Sequence, residues 1–281
     1  MKLSRAANYF DQQVCEDATD SSSTFKAQLD LFDDSKRDGT TVVRRVLSVK
    51  PGTVLPASGT LKIAGRYYIV GGSHDDLFNN SAIRTKYIVQ QGDPVKLKTL
   101  AQLAAGSAGT ATYADKIWVK DMKEPDESSR LFPFFNVFVP APLVISLFQV
   151  IVSGADILFV RSVYESAGGF KTLETNILDA ASVAAVAYVP YSGAYDPVTD
   201  KYTTAATINT SAVVLRYEDF FLRVYASAER MQPGDMCLAV AKSAVATPAA
   251  GDLWTANSIT YRVLSVLDDA STSWLLHSRR A

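Results

Sequence analysis

The sequence predicts a mainly β protein made of small antiparallel β-barrel or sandwich modules, with few short helices and long loops. Two observations predict the class. Short alternating apolar runs are separated by Gly, Pro, Asn and Asp along most of the 281 residues, and such punctuated runs are the signature of sandwiches and barrels. Helical periodicity, by contrast, is confined to a few short stretches. A third observation concerns how the modules relate. The phrase GTLKIAGRYYIV from Gly59 recurs as GDLWTANSITYRV from Gly251, and Tyr68, Val70, Asp75 and Asp76 fall at the same spacing as Tyr261, Val263, Asp268 and Asp269.

In each copy a hairpin turns at a small or polar pair, Ala64-Gly65 or Asn257-Ser258, and then presents Tyr-x-Val. A strand of a small barrel shows alternate residues to its core, so both tyrosines and both valines are expected inside and Ile69 and Arg262 outside. Duplication of a module explains the match, as does convergence of two hairpins on one alternation. A third echo, VIVSGADILFVRSVYES, has Val160 and Glu165 at the corresponding spacing but lacks the tyrosine, and it carries little weight.

Along the chain, Leu3, Ala6, Ala7, Phe10 and Val14 stand at helical spacing, so residues 1–22 read as an N-terminal helix or arm followed by a polar loop, CEDATDSSST. FKAQLDLF and TTVVRRVLSV form a hairpin about DDSKRDG, and Pro51-Gly52 ends it. The hairpin LKIAGRYYIVGG and the strand IRTKYIVQQ follow, up to a Gly-Asp-Pro break. Leu97, Leu100, Leu103 and Ala104 predict a short helix that dissolves into a Gly/Ser/Ala connector. After the strand YADKIWVKDM the charged run KEPDESSR marks a module boundary, giving a first β module over 23–122 and a second, with long loop insertions, over 123–281. LDAASVAAVAYVP begins as helix and turns β-like at Val186, and YSGAYDPVTDKYTTAATI makes two strands about a loop.

The stretch from Leu131 to Ala155 carries no charge and is long enough to span a bilayer. Pro140 and Pro142 would break a helix at its centre, so it reads instead as the extended segment FNVFVP, a proline turn and a buried strand LVISLFQVIV. No membrane partner is expected.

Composition narrows the function classes. With 28 Lys and Arg against 29 Asp and Glu, the net charge of −1 supplies no field to attract nucleic acid, so no sequence-specific nucleic-acid ligand is expected. Cys15 and Cys237 are too few for a disulfide framework and read as free thiols in a reducing compartment, and the N-terminus lacks the apolar core of an export signal. His74 and His277 have no ligand partners at metal spacing and read as surface residues, so no metal is expected. Asp30, Asp33, Asp34 and Asp38 lack the alternate-oxygen pattern of a calcium loop. Neither a phosphate loop nor a nucleophile elbow occurs, so no cofactor is expected. Ser23-Thr24-Phe25-Lys26 fits the S-x-x-K of penicillin-recognising serine enzymes, but the companion Ser-Asp-Asn and Lys-Thr-Gly are missing. With no catalytic residues to name, the chain reads as a protein that binds or assembles, and not as an enzyme.

The order of phrases from FKAQLDLF through TTVVRRVLSVKPG to GTLKIAGRYYIV resembles head-completion and head–tail connector proteins of tailed bacteriophages, over residues 25–92 with an echo in 217–269. The chain is longer than single-barrel members, which suits an elaborated connector, a neck or collar protein, or a tail-tube-like ring subunit. The resemblance implies a virion protein made in the host bacterial cytoplasm. It further implies a ring of copies of itself, formed through one heterologous interface and flanked by portal, adaptor or tail proteins. Aromatic residues with a polar tip suit such an interface, which singles out Tyr191, Tyr195 and Tyr202 on a long loop and Tyr9 and Phe10 on the arm. The reading from another class is a carbohydrate-binding β-sandwich with exposed Trp254, Trp274 and tyrosines as a sugar platform, against which each tryptophan reads first as a core residue.

Overall fold

The computed structural model describes residues 13–18, 24–37, 40–78, 81–118, 134–165, 169–198, 201–216, 232, 234–268 and 272–281. Its strands close into three six-stranded antiparallel barrels. The first holds β1 (Gln13–Asp17), β2 (Thr24–Arg37), β3 (Thr40–Val49), β4 (Thr60–Ile63), β5 (Arg66–Phe78) and β6 (Ser81–Gln91). The second holds β7 (Asp93–Lys98), β8 (Thr110–Trp118), β9 (Phe134–Val139), β10 (Val150–Ser153), β11 (Asp156–Glu165) and β12 (Lys171–Leu178), with helix α1 (Leu100–Ala104) between β7 and β8. The third begins with β13 (Val183–Val189) after a 3-10 turn at Ala180–Ser182. It then sends out a two-stranded hairpin, β14 (Tyr191–Asp196) and β15 (Lys201–Thr204). It resumes with β16 (Ile208–Arg216), β17 (Met236–Ala241), β18 (Leu253–Ala256), β19 (Ile259–Asp268) and β20 (Ser273–Arg280).

Numbered within its own barrel, each set of strands closes in the order 1-2-3-6-5-4. The same topology therefore occurs three times, and the opening hairpin phrase is its fourth and fifth strands. Leu61 lies opposite Tyr68, Ile151 opposite Leu158 and Trp254 opposite Tyr261, with the turn two residues beyond in every case. The echo at VIVSGADILFV is thus a full member of the set. Its missing tyrosine is Leu158, fully buried where Tyr68 and Tyr261 are buried, and Val160 matches Val70 and Val263.

Turn chemistry follows the register. Ala64-Gly65 and Asn257-Ser258 all have positive φ (48°, 78°, 49° and 63°), the pattern of a type I′ turn whose twist suits adjoining strands. In the middle hairpin positive φ falls on Gly154 alone of the turn pair, at 61°, as a type II′ turn asks of its first central residue. The loops between third and fourth strands also correspond: Thr53 N–H donates to Lys50 O and Leu143 N–H to Pro140 O, both at 3.1 Å.

Several expectations change. The CED of the supposed polar loop is strand β1, because Cys15 and Asp17 alternate inward while Val14 and Glu16 do not. Of LVISLFQVIV only the last three residues are strand, as the start of Val150–Ser153; Val144 stands 81% exposed in the preceding loop and Phe148 takes φ 66°, outside any strand conformation. Pro94 sits inside β7, at its second residue, where a strand start tolerates the missing N–H. Helix α1 is where the spacing predicts it, closed by a capping box between Thr99 and Gln102. Most of the N-terminal helix, including Leu3 to Phe10, and the boundary run KEPDESSR lie outside the described residues. No helix among the described residues is long and apolar enough to cross a membrane.

Contacts group the chain into two compact units. Unit 1 is Met1–Lys96, Ala111–Ser146 and Val160–Asn176; unit 2 is Leu97–Thr110, Leu147–Phe159 and Ile177–Ala281. In unit 1 the first barrel is filled by Cys15, Leu47, Val49, Leu61, Tyr68 and Val89, among others. In unit 2 the third barrel is filled by Tyr188, Leu238, Val240, Trp254, Tyr261 and Leu276, among others.

Candidate assembly surface

The side chains of each fourth–fifth-strand hairpin that point away from the barrel core form a four-residue face. It consists of Thr60, Lys62, Tyr67 and Ile69 in the first barrel, Val150, Val152, Ile157 and Phe159 in the second, and Leu253, Thr255, Thr260 and Arg262 in the third. Ile69 was expected to meet solvent; it is fully buried, and its neighbours on this face meet other parts of unit 1. Tyr67 stacks on Tyr113 of β8 with ring centroids 4.4 Å apart. Gln90, opposite Ile69, donates to Asp115 of β8, and Tyr113 Oη donates to Ala18 O at 3.0 Å. Gly59 leads into this face so tightly that a Cβ there would stand 3.0 Å from Pro140 and Pro142. Burial pushes the Asp115 carboxyl up to about 6, with Asp93 adding to the rise against the Gln90 hydrogen bond.

Unit 2 repeats the relation with apolar chemistry. Val150 and Phe159 are fully buried and cluster with Val213 and Leu215 of β16, Cys237 and Ala239 of β17, and Leu275 of β20, with Leu100 and Leu103 of α1 completing the cluster. All five β-residues contacted are on the outside of the third barrel, since the alternate positions Ala212, Val214, Leu238 and Leu276 belong to its core. In both units, then, the hairpin face of one barrel lies against strands of the next, and in both the second strand of that next barrel takes part.

The corresponding face of the third barrel is different. Leu253, Thr255 and Thr260 are half-buried and Arg262 is exposed, as expected for it; the two threonine hydroxyls lie 2.9 Å apart. One strand position therefore reads Ile69, Phe159, Arg262. An apolar residue at the outward position of a repeated phrase was the available signal that a copy is covered.

Beside this face two buried carboxylates fix the third barrel. Asp235 accepts from both Arg279 Nε and Nη2 (2.8 and 3.0 Å), from Gln232 N–H (2.8 Å) and lies 2.8 Å from His277 Nε2. His277 is 5% exposed, so it is no surface residue; the strand pairing of β17 with β20 draws it inward beside Asp235. Burial alone would raise the Asp235 carboxyl, but the hydrogen bonds from Arg279, His277 and Gln232 hold it down at about 2. Asp252 accepts from Tyr188 Oη and from the N–H groups of Tyr191 and Ala249, which ties the root of the β14–β15 hairpin to the loop before β18.

Three of the interface residues proposed from the sequence are brought onto that hairpin. Tyr191 is 39% exposed and starts β14, and Tyr195 pairs with Tyr202 across the two strands. Tyr9 and Phe10 lie outside the described residues. Trp254 is fully buried with Nε1 donating to Ser278 Oγ, and Trp274 donates to Val245 O, so Trp254 forms no exposed sugar platform. Trp254 and Tyr261 instead line a cavity of about 200 Å³ at one end of the third barrel, walled by Ala184, Ala256 and Met236 with Arg216 at its side. Thr24 to Lys26 of the S-x-x-K match lie in strand β2, and Ser23 lies outside the described residues. Among the described residues no cluster of His, Cys, Asp or Glu is arranged to hold a metal ion. Comparison with protein-family models, with curated proteins and with solved structures finds no match for this chain.

Proposed function

We propose that the protein is a non-catalytic structural subunit of a tailed-bacteriophage particle, forming a ring at the head–tail connector, neck or tail with portal, adaptor or tail proteins as neighbours. The observation that supports this reading is the threefold use of one barrel topology, with one hairpin face set against the next barrel in each unit. A fold that grows by repeating a single docking relation is suited to building larger structures, and a heterologous contact of that kind closes into rings or runs on into filaments. The β14–β15 hairpin carries Tyr191, Tyr195 and Tyr202 in its sequence, residues of the aromatic type favoured at interfaces. Mass spectrometry of purified particles, with negative-stain microscopy of the recombinant chain, tests the proposal. The chain is expected in the particles at ring-like copy number; its absence from them would overturn the reading.

A further inference from the structure

We infer that the cavity at one end of the third barrel is a binding site for a small apolar carboxylate, its body lodged beside the stacked rings of Trp254 and Tyr261 and its head group turned to Arg216. This goes beyond the assembly reading and does not depend on it. The inference is carried by what the barrels place at corresponding positions. Ile63 opposite Arg66, Ser153 opposite Asp156 and Ala256 opposite Ile259 flank the turns of the three equivalent hairpins. Asp17 opposite Leu61 matches Tyr188 opposite Trp254. Counting on from those pairs, Leu31 opposite Arg45 in the first barrel matches Arg216 opposite Met236 in the third.

In the first barrel Ile63 belongs to the buried core cluster, and the residues matching Met236 and Ile259 are the charged Arg45 and Arg66. The third barrel changes all three. Ala256 gives up the volume of the isoleucine, and methionine and isoleucine stand in place of the two arginines. Ala256, Met236 and Ile259 all line the cavity of about 200 Å³, together with Ala184 and the Trp254 and Tyr261 rings. Met236 and Ile259 are only half-buried. Apolar side chains thus edge an open concavity where the first barrel carries charge, and a concave apolar surface of that kind suits a ligand that covers it.

Size and chemistry define the ligand. An apolar cavity of about 150 Å³ is enough to hold benzene, so this one takes a phenyl ring or a branched alkyl group on a short tether. Trp254 brings apolar surface and no donor, because its Nε1 already donates to Ser278 Oγ at 2.8 Å. Among the described residues that line the cavity Arg216 alone is charged; it is exposed, as is Asn257. A guanidinium matches a carboxylate through two parallel N–H donors, which makes the head group an anion. A free aryl or alkyl carboxylate presents this chemistry, and so does the C-terminal residue of a polypeptide that ends in an apolar side chain.

Isothermal titration calorimetry of the full chain tests this with 3-phenylpropanoate, with its neutral counterpart 3-phenylpropanol, and with an N-acetylated peptide ending in phenylalanine. The wild type is expected to bind the acid saturably and about tenfold or more tightly than the alcohol. Ala256→Ile, which restores the first barrel's residue, should weaken both by about tenfold or more by filling the cavity. Arg216→Gln should bring the acid down to the level of the alcohol and leave the alcohol unchanged, with circular dichroism verifying that both variants are folded. Tighter binding of the peptide than of the free acid would assign the site to a polypeptide terminus, and the reverse order to a small metabolite. No saturable binding of any probe by the wild type, binding that Ala256→Ile leaves intact, or an alcohol bound as tightly as the acid would overturn the inference.

Discussion

Trp254 and Tyr261 face each other in register across the β18–β19 hairpin, their rings stacked with centroids 4.3 Å apart and planes 17° from parallel. The equivalent pairs are Leu61 with Tyr68 and Ile151 with Leu158, so the same barrel wall is built from two, one or no aromatic rings. Tyr261→Leu would place the middle barrel's residue opposite the third barrel's tryptophan. It removes the stacking and leaves a void beside Trp254, at a cost of about 1–3 kcal/mol. Urea unfolding should show the midpoint fall; an unchanged midpoint would mean that the wall repacks around leucine.

Asp115 gives unit 1 an unusual pH dependence. Its carboxyl is raised to about 6 by burial, so the folded state holds the proton more tightly than the unfolded chain does. Stability from this group is therefore full below about 4, the ordinary carboxyl range, and declines as pH rises towards about 6. Asp115→Asn keeps an acceptor for the Gln90 amide and carries no charge. It should stabilise the protein at neutral pH by about 1–2 kcal/mol, discounted for the partly exposed side chain. Thermal melts of both proteins from acidic to neutral pH should diverge as pH rises; a gap that closes with rising pH would contradict the assignment.

How far the sequence reveals the fold depends on which face of a strand carries the information. Tyr68, Val70, Tyr261 and Val263 are buried as their alternation predicts, because period-2 patterning reports directly on the barrel interior. The middle repeat was legible only as a faint echo, since a core position accepts Leu158 as readily as tyrosine when its neighbours change volume with it. Ile69 was misjudged because it lies on a face whose neighbours Tyr67 and Gln90 meet Tyr113 and Asp115, residues more than forty positions along the chain that no local pattern links to it. His277 went the same way: its partner Asp235 is reached only through the pairing of β17 with β20. Tyr191, Tyr195 and Tyr202 fall on the two strands the sequence announces there, because Asp196-Pro197 and the alternation around it mark a turn.

The turn at Asn257-Ser258 offers a gain in stability. Ser258 has φ 63°, a left-handed conformation in which a side chain is strained and glycine is not. The first barrel already has Gly65 there, following Ala64. Ser258→Gly completes the Asn-Gly pair that type I′ turns favour and should raise stability by about 0.5–1 kcal/mol. A lowered melting temperature would show that the serine hydroxyl contributes more than its backbone strain costs.

Asp235 should govern how the third barrel fails in acid. Its carboxyl lies at about 2 because Arg279, His277 and the Gln232 N–H favour the charged form against the penalty of burial. An unfolded aspartate titrates near 3.9, so this group contributes about 2–3 kcal/mol that is fully present above that range and is lost as pH falls from about 4 to about 2. Asp235→Asn removes the charge while keeping the shape, leaving the buried imidazole of His277 and the guanidinium of Arg279 without their anion. The expected cost at neutral pH is about 2–4 kcal/mol, moderated because Arg279 is 42% exposed and reaches water. Across the acid range the variant should lose less further stability than the wild type, so their melting curves converge as pH falls. If the two proteins instead kept a constant separation down to the lowest pH, the carboxylate would owe its effect to packing, and the network around His277 would be structurally neutral to charge.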